Sequence, residues 1–132
     1  MSKKLLNCLT VATLLATILT PVASASVINS SLSGVRTGFS SQRVKHQGSH
    51  AVEVGLVACR SNAPAANSKL DIELREHRRF MPDRSKGIRN GKGCFSRPTR
   101  VGWGYPGHAT YFFKLHTWNW QSTSARNFNM YF

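Results

Sequence analysis

The sequence predicts an all-β fold: a small antiparallel β-sandwich, immunoglobulin-like or an open-barrel variant, following an N-terminal signal peptide. Three observations carry this expectation. Apolar and polar residues alternate with a period of two in several short segments. The gaps between those segments are rich in Gly, Pro, Asn and Ser. No stretch beyond residue 25 sustains the spacing of an amphipathic helix.

The first 25 residues differ in kind from the rest. Lys3 and Lys4 precede the apolar run LLNCLTVATLLATIL, and Ala23 and Ala25 frame Ser24 in an A-x-A pattern, so cleavage is expected after Ala25. The chain is then expected outside the cell, either released or held at the wall. The apolar run is short for a membrane span and is interrupted by Asn7 and threonines. The remainder divides into a flexible polar arm over 26–48 and a single β-sandwich domain over 49–132.

Within that domain each element has its own signature. AVEVGLVAC (Ala51–Cys59) places Val52, Val54, Leu56 and Ala58 on one face. SNAPAANS has the composition of a loop. LDIELREH sets Leu70, Ile72 and Leu74 against Asp71, Glu73 and Arg75, the pattern of a strand with one wet face. RRFMPDRSKGIRNGKG (Arg78–Gly93) is too polar and too broken for a core element and is expected as a long cationic loop. CFSRPTRVGW can form an edge strand only, because Pro98 lacks a donor. GYPGH is a turn. ATYFFKLHTW and NFNMYF are strands, the latter alternating Phe128, Met130 and Phe132 with Asn127, Asn129 and Tyr131. The Cys…Trp…Cys order of antibody domains is missing, since Trp103 follows both cysteines.

Beyond the signal peptide only Cys59 and Cys94 remain, an even pair in an exported chain, which predicts one disulfide. Closing a loop of this size stabilises a fold by about 3–4 kcal/mol on the chain-entropy model. Charge speaks about partners. Residues 26–132 hold sixteen Lys and Arg against five Asp and Glu, a formal surplus of eleven positive charges. Such a field steers anions toward the surface.

The strand ATYFFKLHTW has two unlike faces. Tyr111, Phe113 and Leu115 share one, the core side; Phe112, Lys114, His116 and Trp118 share the other. A lysine buried without a partner is costly, so the second face is expected to reach water or a ligand. Aromatic rings beside a cation suit sugars and phosphate-bearing polymers. The expected binding residues are therefore Arg78, Arg79, Arg84, Lys86, Arg89 and Lys92 of the cationic loop together with Phe112, Lys114, His116 and Trp118. The leading expectation is a secreted cationic protein that adsorbs to an anionic or glycan cell-wall or envelope polymer. Peripheral contact with an anionic membrane is a second mode, for which Trp103, Tyr105, Trp118 and Trp120 are the residue types found at a headgroup boundary. A bacteriocin-like antibacterial activity is an alternative consistent with the same chemistry.

Catalytic motifs are sparse. No HExxH, GxSxG or phosphate-binding glycine loop occurs, and no cofactor or metal is expected. The one enzymatic alternative is a small extracellular ribonuclease, acting on nucleic acid with Glu73 as base, Arg97 and Arg100 on the phosphate, and His108 as acid.

Overall fold

The computed structural model of the protein describes residues 25–132; the predicted signal peptide, apart from Ala25, lies outside the described residues. Among the described residues nine strands follow one another: β1 (Val27–Ile28), β2 (Leu32–Val35), β3 (Val44–His46), β4 (Glu53–Ser61), β5 (Leu70–His77), β6 (Arg84–Asn90), β7 (Thr99–Gly102), β8 (Ala109–Thr117) and β9 (Thr123–Tyr131). They form two antiparallel sheets packed face to face, the expected β-sandwich. One sheet has the order β1-β9-β4-β7 with β2 also paired to β9, and the other β3-β8-β5-β6.

The core follows from the alternation. Each of four central strands sends three side chains inward: Val52, Val54 and Leu56 with β4, Leu70, Ile72 and Leu74 from β5, Tyr111, Phe113 and Leu115 from β8, and Phe128, Met130 and Phe132 with β9. Full burial of an aliphatic or aromatic side chain of this size contributes about 1.5–3 kcal/mol. Phe113 sits at the centre, with its ring centroid 5.3 Å from Trp103, 5.4 Å from Phe132 and 6.2 Å from Phe128. Trp103 is thus a packing residue, and its indole Nε1 donates to the Gly87 carbonyl at 2.8 Å.

The inward face of β4 changes parity near its end. Ala58 was expected inside but is exposed, with φ of +54°. This left-handed residue interrupts the pleat and turns Cys59 into the interior, where it bonds Cys94 across a Cα–Cα distance of 5.2 Å. Cys94 lies in a short 3-10 turn, Lys92–Phe95, directly after β6. The bridge therefore ties the end of one sheet's outer strand to the centre of the other sheet. Gly91, before the turn, packs so closely that a Cβ there would meet Leu56 Cδ1 at 2.9 Å.

Two segments differ from expectation. Residues 26–48, read as a polar arm, supply β1 and β2 on β9 and β3 on β8. Ser41 donates its N–H to the Phe113 carbonyl at 2.8 Å and accepts the Phe113 N–H on its hydroxyl at 2.9 Å. These are short edge pieces held by backbone ladders, which need no hydropathy alternation. The cationic stretch from Arg78 is likewise no open loop. Residues 78–83 make the turn of a hairpin, and Arg84–Asn90 return as β6 with a bulge opposite the Glu73–Arg75 step, where Gly87 takes φ of +112°.

Candidate functional site

The outer face of the β3-β8-β5-β6 sheet collects most of the chemistry. Directly opposed residues on neighbouring strands point to the same side. The β5–β8 register pairs Arg75 with Phe112, Glu73 with Lys114, and Asp71 with His116. Six functional side chains are therefore set on one face. Lys114, His116 and Arg75 are partly exposed, whereas Glu73, read as part of the wet face, is only 6% exposed.

Glu73 is buried because it is saturated with partners. Its Oε2 lies 2.8 Å from His116 Nε2, and Arg75 Nη1 donates to Oε1 at 3.3 Å. Burial pushes its carboxyl up, but hydrogen bonds from Ser85 and His116 and the positive charge of Arg75 outweigh it and hold the pKa below the ordinary 4.5. Glu73 is thus a structural anion that fixes the cations around it. Asp83 plays a similar part at the hairpin turn. It accepts the Arg78 backbone N–H at 3.2 Å and contacts His77 Nδ1 at 3.0 Å, and its own carbonyl accepts Arg75 Nη2 at 2.8 Å. The His77 hydrogen bond leads the causes that keep its carboxyl below the usual aspartate value.

Beside this network opens a groove of about 570 Å³ lined by Ser40, Ser41, Gln42, Arg43, Arg75, Asp83, Phe112 and Lys114. Three cations border it. Phe112 is covered by the guanidinium of Arg43, 5.8 Å above its ring. Arg43, Ser40 and Ser41 were missed in the sequence because the segment carrying them shows no periodicity; Ser40 reaches the site by bridging to Lys114 as an edge.

The remaining predicted binding residues are dispersed. Arg84 is paired with Glu76, and Arg89 with Ile72, so both belong to the side of β6 that faces the other sheet. Arg89 Nε donates to the Gly102 carbonyl at 3.0 Å and its guanidinium lies 5.8 Å over the Trp103 ring, closing the side of the sandwich between β6 and β7. Lys86 pairs with Glu76 at 3.7 Å. Arg78 and Arg79 stand at the hairpin turn. Lys92 and Trp118 meet at the opposite end, in a shallow groove of about 320 Å³ shared with Asn67, Lys69 and Asn90.

The four residues of the ribonuclease scheme are not brought together. Arg100 lies on the outer face of the other sheet, where its Nε donates to Glu53 at 2.7 Å and its guanidinium covers Tyr131 at 4.2 Å. Glu73 is on the far side of the sandwich. Arg97 follows the 3-10 turn on the surface, and His108 stacks edge-on to Tyr105 at a centroid distance of 5.9 Å. The imidazole that does reach Glu73 belongs to His116. The chain matches no protein-family model, no curated protein and no solved structure.

Proposed function

We propose that the protein is a secreted cationic binding protein that adsorbs to an anionic or glycan polymer of a cell wall or envelope. One observation carries this reading. All five carboxylates already have a basic partner: Glu53 with Arg100, Asp71 with Lys69, Glu73 with Arg75 and His116, Glu76 with Lys86, and Asp83 with His77. Among the described residues, twelve of the sixteen Lys and Arg have no carboxylate at ion-pair distance. The positive surplus is therefore available to a partner.

The groove at Arg43, Arg75 and Lys114 supports a place for it. Guanidinium forks bond phosphate or carboxylate oxygens in pairs, and a lysine adds a point charge. Glu73 and Asp83 hold Arg75 in a set rotamer, which lowers the entropy lost on binding. The Trp118 groove, with Asn67, Lys69, Asn90 and Lys92, supports a second contact in which a sugar ring stacks on indole.

Adsorption to isolated cell walls and to polyphosphate resin tests the reading. Binding should weaken steeply as salt is added, because exposed charges are screened beyond about 10 Å at moderate ionic strength. Arg43→Glu combined with Lys114→Glu should lower it by about tenfold or more at low salt. Binding that ignores salt, or no binding at low salt, overturns the proposal.

A further inference from the structure

We propose that the turn of the β5–β6 hairpin is a membrane-inserting finger specific for anionic bilayers. At its apex Phe80 is 88% exposed and Met81 51% exposed. Isolated apolar residues on a surface are ordinary, but an almost fully exposed phenyl ring at a hairpin apex, followed by a half-exposed methionine, is not.

The turn is held in shape rather than loose. Asp83 accepts the Arg78 backbone N–H, contacts His77, and anchors Arg75 through its carbonyl. Pro82 limits the backbone next to Met81. The apolar pair is thus presented in a fixed position beyond the end of the sheet, so little ordering is lost on insertion.

Cations flank the apex along the chain. Arg78 and Arg79 precede Phe80 and Arg84 follows Asp83. The Arg79 guanidinium lies 5.3 Å over the Phe80 ring, and Arg78 Nη2 reaches the Met81 sulfur at 3.6 Å. Both cations therefore lie directly against the apolar pair. An exposed ring and thioether with guanidinium groups against them match the boundary of an anionic bilayer, where acyl chains lie just beneath phosphates. The same end of the sandwich carries Lys45, because the β3–β8 and β5–β8 registers place residues 45, 77 and 110 together, and the half-exposed Tyr105, whose ring lies 5.9 Å from that of His46. Neither Phe80 nor Met81 lines the Arg43 groove or the Trp118 groove. A convex apolar apex enters a fluid phase, whereas a protein segment docks in a concave seat.

Three of the four aromatic residues expected at a headgroup boundary from the sequence lie away from this anchor. Trp118 and Trp120 lie past the opposite end of β8, and Trp103 is packed on Phe113. Two inserted side chains give weak, reversible attachment, and the basic ring supplies the second attraction that such attachment requires.

Sedimentation with vesicles tests the proposal. The protein should pellet with mixed phosphatidylcholine and phosphatidylglycerol vesicles and remain in solution with pure phosphatidylcholine. Phe80→Ser combined with Met81→Ser, at residues outside the hydrophobic core, should keep the wild-type unfolding midpoint and weaken binding to the anionic vesicles by about tenfold or more. In a second measurement, Phe80→Trp bound to phosphatidylglycerol vesicles with brominated acyl chains should be quenched well beyond the background of the three native tryptophans. Undiminished binding of the double serine variant, an unquenched Trp in Phe80→Trp while the protein is bound, or no pelleting with anionic vesicles would each overturn the assignment.

Discussion

The carboxylate of Glu73 and the imidazole of His116 meet at 2.8 Å between neighbouring strands, and this contact holds a nearly buried acid ionised on the outside of a sheet. Burial pushes its pKa up, and the hydrogen bond from Ser85, then this contact with His116 and the charge of Arg75, outweigh that push and leave the pKa below its ordinary value. A carboxyl whose folded pKa lies below its unfolded value contributes stability that is present above the unfolded pKa and is lost as pH falls through the folded one. Glu73→Gln should therefore lower stability at pH 7 by about 1–3 kcal/mol, and the gap from wild type should close as pH drops well below the ordinary 4.5. Urea titrations at neutral and acid pH measure both; equal midpoints at neutral pH would contradict the role given to Glu73.

His46 should act in a higher window and by the opposite charge state. It is 2% exposed between Tyr105 and Tyr111. Burial lowers its pKa from 6.5, a hydrogen bond with the His50 backbone opposes this, and the charges of His108 and His50 add to the lowering. The neutral ring is the folded form, so its contribution is complete above the unfolded value and declines as pH falls below about 6.5. His46→Phe should flatten the stability profile between neutral pH and about pH 5, with Glu73→Gln leaving that part of the profile unchanged. A profile equally steep in wild type and His46→Phe would disprove the assignment.

Ala58 adopts φ of +54° while carrying a Cβ. That conformation costs roughly 1–2 kcal/mol for an L-residue and little for glycine. Ala58→Gly should raise the unfolding midpoint by the equivalent of about 1 kcal/mol, after the entropy lost with glycine is allowed for. Ala58→Val should lower it. A destabilised glycine variant would mean that the left-handed turn at 58 is not what aims Cys59 inward.

The Cys59–Cys94 bridge spans a sequence separation of 35 and joins β4 to the turn after β6. Replacing both cysteines with alanine should cost about 3–4 kcal/mol, a large part of the margin of a chain this size. Denaturant unfolding with and without reductant gives the same quantity for the wild type. A midpoint indifferent to reductant would show that the bridge is absent or without consequence.

How much of this was legible in the residues can be seen strand by strand. Leu70, Ile72 and Leu74, or Phe128, Met130 and Phe132, announce their inward side by alternation, and all six are buried. The expected edge strand near Pro98 is β7, at the border of its sheet. The segment bearing Arg43 gave no such signal, because an edge held by its backbone can carry almost any side chain.

The class of fold, the four core strands, the cysteine pair and the excess of positive charge are all readable in the residues, since these depend on local alternation and on composition. The assembled sandwich sets which strands neighbour which, encloses Glu73 with His116 and Arg75, and joins Arg43 to Lys114 across a groove. It also set Arg89 on Trp103 and away from that groove, through the bulge at Gly87. The physical reason is that alternation specifies a side chain's face relative to its own strand, whereas partners, enclosure and the direction of a surface charge depend on register, and register is a property of two strands at once.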